Sequence, residues 1–146
     1  MAQVIGVRHL GIVVKDLNRA MWFYKELLGL ELQRRMVENG PCIDTVLALG
    51  GVEVETVKLR AKEGITQIEL VSFRSHPVSL LENVRTLIAG PTHVAFTVDD
   101  LDKLYVDMSS AGIEFNCPPQ VSPDGKVLLT YCKDPDGTLV ELVEIL

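Results

Sequence analysis

No stretch of this chain stays apolar for the roughly 18–20 residues that a bilayer-spanning helix needs, so a helical membrane protein is not expected. There is no run of Lys or Arg either. The 14 basic residues stand against 20 acidic ones, for a formal net charge of −6. Neither a nucleic acid nor an anionic membrane surface is therefore an expected partner. Cysteine is scarce and odd in number: Cys42, Cys117 and Cys132, with no Cys-x-x-Cys spacing. These read as reduced, incidental thiols of a cytoplasmic protein. The opening Met-Ala-Gln-Val-Ile-Gly-Val-Arg lacks a basic segment followed by a long apolar one, so no signal peptide is expected. What is present is 146 residues, 47% hydrophobic and 23% charged. That suits one compact domain, or two small modules sharing a core.

The chain contains itself twice. Residues 8–32 read RHLGIVVKDLNRAMWFYKELLGLEL, and residues 92–115 read THVAFTVDDLDKLYVDMSSAGIEF. With His9 set on His93, both run through a strand-like stretch, an Asp-Leu, a helical stretch, a Gly, and then Ile or Leu and Glu. The second helix is one residue shorter. Dense Val, Ile and Phe over about seven residues favour a strand in each opening. Leu17, Ala20, Met21, Tyr24, Leu27 and Leu28 then make one apolar stripe, as do Leu101, Leu104, Tyr105 and Met108. Asp16 and Asp100 are placed to cap the helices, and Gly29 and Gly112 to end them in a left-handed conformation.

Strand-like runs follow: Glu31–Val37, Val52–Leu59 and Thr66–Phe73 in the first half, Ile113–Asn116, Lys126–Lys133 and Thr138–Glu144 in the second. The last two are joined by the turn signal Asp134-Pro135-Asp136-Gly137. Each half thus reads βαβββ, with modules at 4–74 and 92–146 and a linker at 75–91. Within the linker Leu80, Leu81, Val84 and Leu87 form a weak helical stripe. His9 to Glu69 spans 60 positions and His93 to Glu141 spans 48. The surplus falls at about 39–50, where Pro41 opens, Cys42, Thr45, Val46 and Leu49 line, and Gly50 ends an expected inserted helix. Such a segment either covers the mouth of a site or decorates the surface.

Polar residues inside apolar strands point to chemistry. Side chains alternate along a strand, so Val7, His9, Gly11 and Val13 share a face, as do Gln67, Glu69, Val71 and Phe73. His93, Ala95 and Thr97 share one, and so do Leu139, Glu141 and Val143. Glu69 and Glu141 lie between bulky apolar neighbours, and a buried carboxylate needs a compensating partner. A cation is one such partner. Any one of these residues alone is more simply a solvated Glu or a hydrogen-bonded His. The duplicate placement carries the case: if the halves pack with pseudo-twofold symmetry, two His and two Glu meet at one point. The third histidine, His76, reads as a surface residue. Glu53 and Glu55 fit the exposed face of an alternating strand.

Taken together, His9-Leu10-Gly11-Ile12-Val13-Val14, Phe23-Tyr24, Leu28-Gly29-Leu30, Gln67-Ile68-Glu69-Leu70, His93-Val94-Ala95-Phe96 and Asp134-Pro135-Asp136-Gly137 running to Glu141-Leu142 resemble the vicinal oxygen chelate superfamily, also called glyoxalase/bleomycin resistance/dioxygenase. The His, Glu, His, Glu order is similar to bacterial glyoxalase I and to methylmalonyl-CoA epimerase. The resemblance implies an α+β fold of tandem βαβββ modules forming an incomplete barrel around a metal. It implies His9, Glu69, His93 and Glu141 as ligands of a divalent ion, Zn, Ni, Co or Mn. It further implies a homodimer and a small oxygenated substrate from which a proton is moved next to a chelated carbonyl, as in a lyase, isomerase or epimerase.

The base implied by the resemblance is Glu141 or Glu69. Glu38, in Glu38-Asn39-Gly40, and Asp44, on the inserted helix, are further candidates. Glyoxalase I would carry an Arg in the first strand and an amide after the second ligand, for glutathione. Val13 and Phe73 stand nearest those positions, which suits a substrate with an apolar part instead. Two rival functions stay open: a non-catalytic, antibiotic-type binding protein, and an extradiol-type dioxygenase.

Overall fold

The computed structural model describes residues 2–80, 90 and 93–146. The linker stripe of Leu81, Val84 and Leu87 lies outside them. The chain divides into two compact units, Met1–Leu80 and Leu81–Leu146. In the first, β1 (His9–Val13) leads into α1 (Leu17–Met21), which continues as a π-helical turn over Trp22–Leu27. Then come β2 (Glu31–Asn39), α2 (Pro41–Leu47), β3 (Glu53–Arg60) and β4 (Gln67–Phe73). The sheet order is β1-β4-β3-β2. β1 and β4 run parallel, and the other pairs are antiparallel. In the second unit β5 (Val94–Thr97), α3 (Leu101–Ser110), β6 (Gln120–Val121), β7 (Val127–Lys133) and β8 (Leu139–Ile145) form a sheet of order β5-β8-β7-β6. The fold is thus α+β, with the βαβββ order expected of each half. Among the described residues no helix is long and apolar enough to cross a membrane.

Each sheet buries one face. In the first unit Ile12, Val57, Leu59, Ile68 and Leu70 are buried with Phe23 and Tyr24 of the helix. In the second, Cys132, Val140 and Leu142 are buried with Leu101 and Met108. The helix ends are as the side chains dictate. Asp16 accepts from the Asn18 and Arg19 amides at 2.9 and 3.1 Å, and Asp100 accepts from the Lys103 amide at 2.9 Å. Gly29 and Gly112 take φ of +70° and +87°, a region that side chains with a Cβ rarely enter.

The extra residue of the first repeat has a physical home. His9 to Gly29 is 20 positions and His93 to Gly112 is 19. The surplus is absorbed by the π-helical turn, where the Leu28 amide donates five residues back to the Phe23 carbonyl at 3.1 Å. A π-turn takes in one residue while both helix ends keep their places.

Three expectations need correction. The inserted helix forms, with Pro41 in its first turn, but Ala48 rather than Gly50 ends it, in a left-handed conformation at φ 53°. Ile113–Asn116 is not a strand. Only Phe115 makes an isolated bridge, to Cys132, and the strand that pairs with β7 is the two-residue β6. Pro118 and Pro119 lie between the two and have no amide hydrogen to donate to a ladder.

Finally, Glu55 is buried rather than exposed. It shares the alternation of Val57 and Leu59 on a strand with neighbours on both sides. Its two oxygens accept from Arg35 Nε and Arg74 Nη2, each at 2.5 Å.

The Arg35 hydrogen bond first, and the Arg74 one second, hold the Glu55 carboxyl below its ordinary value of 4.5. A carboxyl with a lowered folded value contributes stability above its unfolded value, and loses it as pH falls through the folded one. The urea midpoint is expected to fall on acidification below about pH 4.5, and to fall less in Glu55→Gln. An equal acid dependence in the variant would remove Glu55 from the account.

The three cysteines are free thiols. Burial, and then the charge of Asp134, push Cys132 up to about 12, so it is inert near neutral pH.

Candidate metal centre

β1 and β4 are parallel neighbours, with His9 opposite Gln67 and Gly11 opposite Glu69. His9 and Glu69 therefore sit two rungs out of step on one face, and His9 Nε2 lies 3.1 Å from Glu69 Oε2. The second unit repeats this. Ala95 pairs with Glu141, His93 immediately precedes the strand, and His93 Nε2 lies 3.1 Å from Glu141 Oε2. The residue directly beside each Glu is small, Gly11 or Ala95. An imidazole two positions back can reach across it. Both pairs lie on the face opposite the buried one and are half-buried, the histidines about a third exposed and the glutamates about a sixth.

The donor set fits a divalent ion. Two ligands each about 2.1 Å from one ion and at a right angle stand about 3 Å apart, the spacing seen in each pair. Among the described residues His9 Nδ1 is buried without a hydrogen-bond partner, and none of them ties down the far side of that ring. Each unit carries one such imidazole–carboxylate pair. Within neither, among the described residues, does a group of three or more His, Cys, Asp or Glu gather.

Two further residues complete these pairs, and sequence reasoning missed both. Lys58 of β3 faces Glu69 across the ladder, with Nζ 3.3 Å from Oε1. Tyr131 of β7 holds the equivalent place opposite Glu141. Burial first, then the Glu141 charge and a hydrogen bond to it, push the Tyr131 phenol above its ordinary value. The Tyr131 ring also meets the His93 ring edge to face, with centroids 5.3 Å apart. The signal was present: Lys58 is the one charged residue between Val57 and Leu59, both fully buried. Its partner could be named only once the register was known.

The other acid candidates lie elsewhere. Glu38 pairs with Val54, which pairs with Phe73. It shares the face of Lys58, but four residues further along, ~13 Å at the strand rise. Asp44 uses both oxygens on the loop that leaves α2, accepting from the Gly51 and Val52 amides at 2.9 and 2.7 Å. The Val52 bond first and the Gly51 bond second hold its carboxyl below the ordinary value, which makes it a poor proton acceptor.

His76, expected at the surface, lines a cavity of the first unit.

The model of the Glyoxalase/Bleomycin resistance protein/Dioxygenase superfamily matches residues 6–142. The chain is 30% identical over 140 residues to the uncharacterised protein YwkD of Bacillus subtilis, covering 95% of this chain and 96% of that one. It is 28% identical over 144 residues to the lactoylglutathione lyase of Schizosaccharomyces pombe, covering 94% of this chain but 46% of that enzyme. Among solved structures, a glyoxalase family protein of Bacillus cereus matches with a TM-score of 0.87 at 28% identity, over 99% of this chain and 97% of that one.

Proposed function

The chain belongs to the Glyoxalase/Bleomycin resistance protein/Dioxygenase superfamily, and from that premise we propose that it is a divalent-metal-dependent lyase, isomerase or epimerase. It moves a proton next to a carbonyl of a small oxygenated substrate. One observation carries this reading: the same imidazole–carboxylate pair, with the same 3.1 Å spacing, stands at the same place in both halves.

His9, Glu69, His93 and Glu141 would hold the ion, and two nitrogens with two carboxylates suit Zn, Ni, Co or Mn. When bound, such an ion stabilises negative charge developing on a carbonyl oxygen. The rest falls to the chain. Glu141 takes the proton from the adjacent carbon, with Glu69 as the second candidate. Tyr131, directly opposite Glu141 on the ladder, sets a neutral phenol beside that carboxylate. Lys58 steadies Glu69 with a charge. The lyase named in fission yeast fits a reaction of this class. We take the working form to be a homodimer.

Metal analysis of the purified protein, after loading with Zn, Ni, Co or Mn, is expected to find one divalent ion per chain. The loaded protein is expected to exchange solvent deuterium into the carbon beside the carbonyl of a 2-oxo acid, an acyl-CoA thioester or a hemithioacetal. A chain that takes up no ion is a binding protein. One that consumes O2 with Fe(II) and a catechol, with no such exchange, is an oxygenase. Either result overturns the proposal.

A further inference from the structure

The face of β1 and β4 that carries His9 and Glu69 leads into a cavity. Val13 lies four residues beyond His9 on β1, and Phe73 four beyond Glu69 on β4. Strand alternation keeps each on its partner's face, ~13 Å along. Val13 and Phe73 line one side of the cavity. Leu49 lines another, and His76, Pro77, Val78 and Ser79 line the rest, around a volume of about 270 Å³ open to one side. All of these residues belong to the first unit.

The lining is mostly carbon and contains no acid, lysine or arginine. Its polar side chains are those of His76 and Ser79, and the His76 ring is held in place. Nδ1 lies 2.7 Å from Ser75 Oγ, and the ring meets Phe73 edge to face with centroids 6.4 Å apart. Among the described residues no hydrogen bond is made by the other ring nitrogen, Nε2, which can therefore meet a ligand there. Val13 is 51% exposed and Leu49 42% exposed, so apolar surface stands open in the free chain. Pockets that enclose a whole drug-sized ligand run from about 300 to 1,000 Å³. This one is sized for part of a substrate.

Leu49 follows α2, in the surplus stretch that the second half lacks. One of the differences between the two halves therefore lies at this cavity.

We propose that this cavity is the specificity pocket of the enzyme. It takes an uncharged apolar substituent of the substrate, of benzyl or branched-alkyl size, and His76 Nε2 hydrogen-bonds a hydroxyl or carbonyl oxygen on that substituent. The assignment of the pocket to a substrate rests on the enzyme reading above. Its ligand chemistry rests on the first unit alone.

The test uses full-length, metal-free protein, methyl-labelled and titrated by NMR with benzyl alcohol and with toluene. Saturable shifts are expected at the methyls of Val13, Leu49 and Val78. Leu49→Trp, which fills the cavity from an exposed position, is expected to weaken both probes by about tenfold or more. His76→Leu is expected to weaken benzyl alcohol about fivefold and to leave toluene within about twofold. No shift at these methyls, wild-type affinity in Leu49→Trp, or equal loss of both probes in His76→Leu overturns the proposal. Because no metal is present, failure here is separate from failure of the metal reading, which metal analysis reports.

Discussion

Glu141→Gln is expected to lose turnover by about 10²–10⁴-fold, the range that a positioned proton acceptor contributes. The variant keeps the volume of the side chain and one carbonyl oxygen, but it has neither the charge nor the proton affinity of a carboxylate. His9→Ala is expected to be equally inactive for a different reason, the loss of one nitrogen donor. Neither change should unfold the chain. With His9 removed, Glu69 still has Lys58 at 3.3 Å, so no carboxylate is left buried without a partner. The decisive measurement pairs turnover with metal content and thermal midpoint on the same preparations. Inactive, folded variants, with His9→Ala also depleted of metal, support the site. Wild-type turnover by either variant removes it.

Phe23→Ala is expected to have the largest effect on stability. Phe23 is fully buried, and its ring meets that of Tyr24, also fully buried, edge to face with centroids 5.0 Å apart. Two sequence neighbours on one α-helix point ~100° apart, so both enter a core only where the apolar face is broad. The π-helical turn over Trp22–Leu27 is where both do. Truncating a buried Phe costs about 3–5 kcal/mol, from lost transfer energy and the cavity left behind. Against a total of ~5–15 kcal/mol, that is a large share. Urea titration should show that loss, and the thermal midpoint should drop by about 6–20 °C. A cost below about 1 kcal/mol would show that the aromatic pair does not fill the core.

Much of this was legible beforehand because it is local. The Asp16 and Asp100 caps, the Gly29 and Gly112 endings and the turn at Asp134–Gly137 each depend on a few adjacent residues. Backbone conformation and short side-chain reach decide such features. The βαβββ order followed from two periodicities, and the inserted helix from Pro41 and its stripe. The misreadings were non-local. Glu55 looked exposed because alternation says which residues share a face, but not that two arginines, one on β2 and one just past β4, would cover it. Ile113–Asn116 looked like a strand because composition does not reveal how far a partner extends along β7.

Sequence by itself determined the duplication, the pairing of each His with a Glu, and the choice of residue types able to hold a divalent ion. Those are properties of spacing and donor chemistry, and they are written along one dimension. Tertiary structure alone decided that Lys58 stands against Glu69 and Tyr131 against Glu141. It also decided that His76 turns into a cavity beside Val13 and Phe73. Ladder register and the path of a chain segment past a sheet bring together residues far apart in sequence, and a shift of one residue would send the strand side chains among them to the other face.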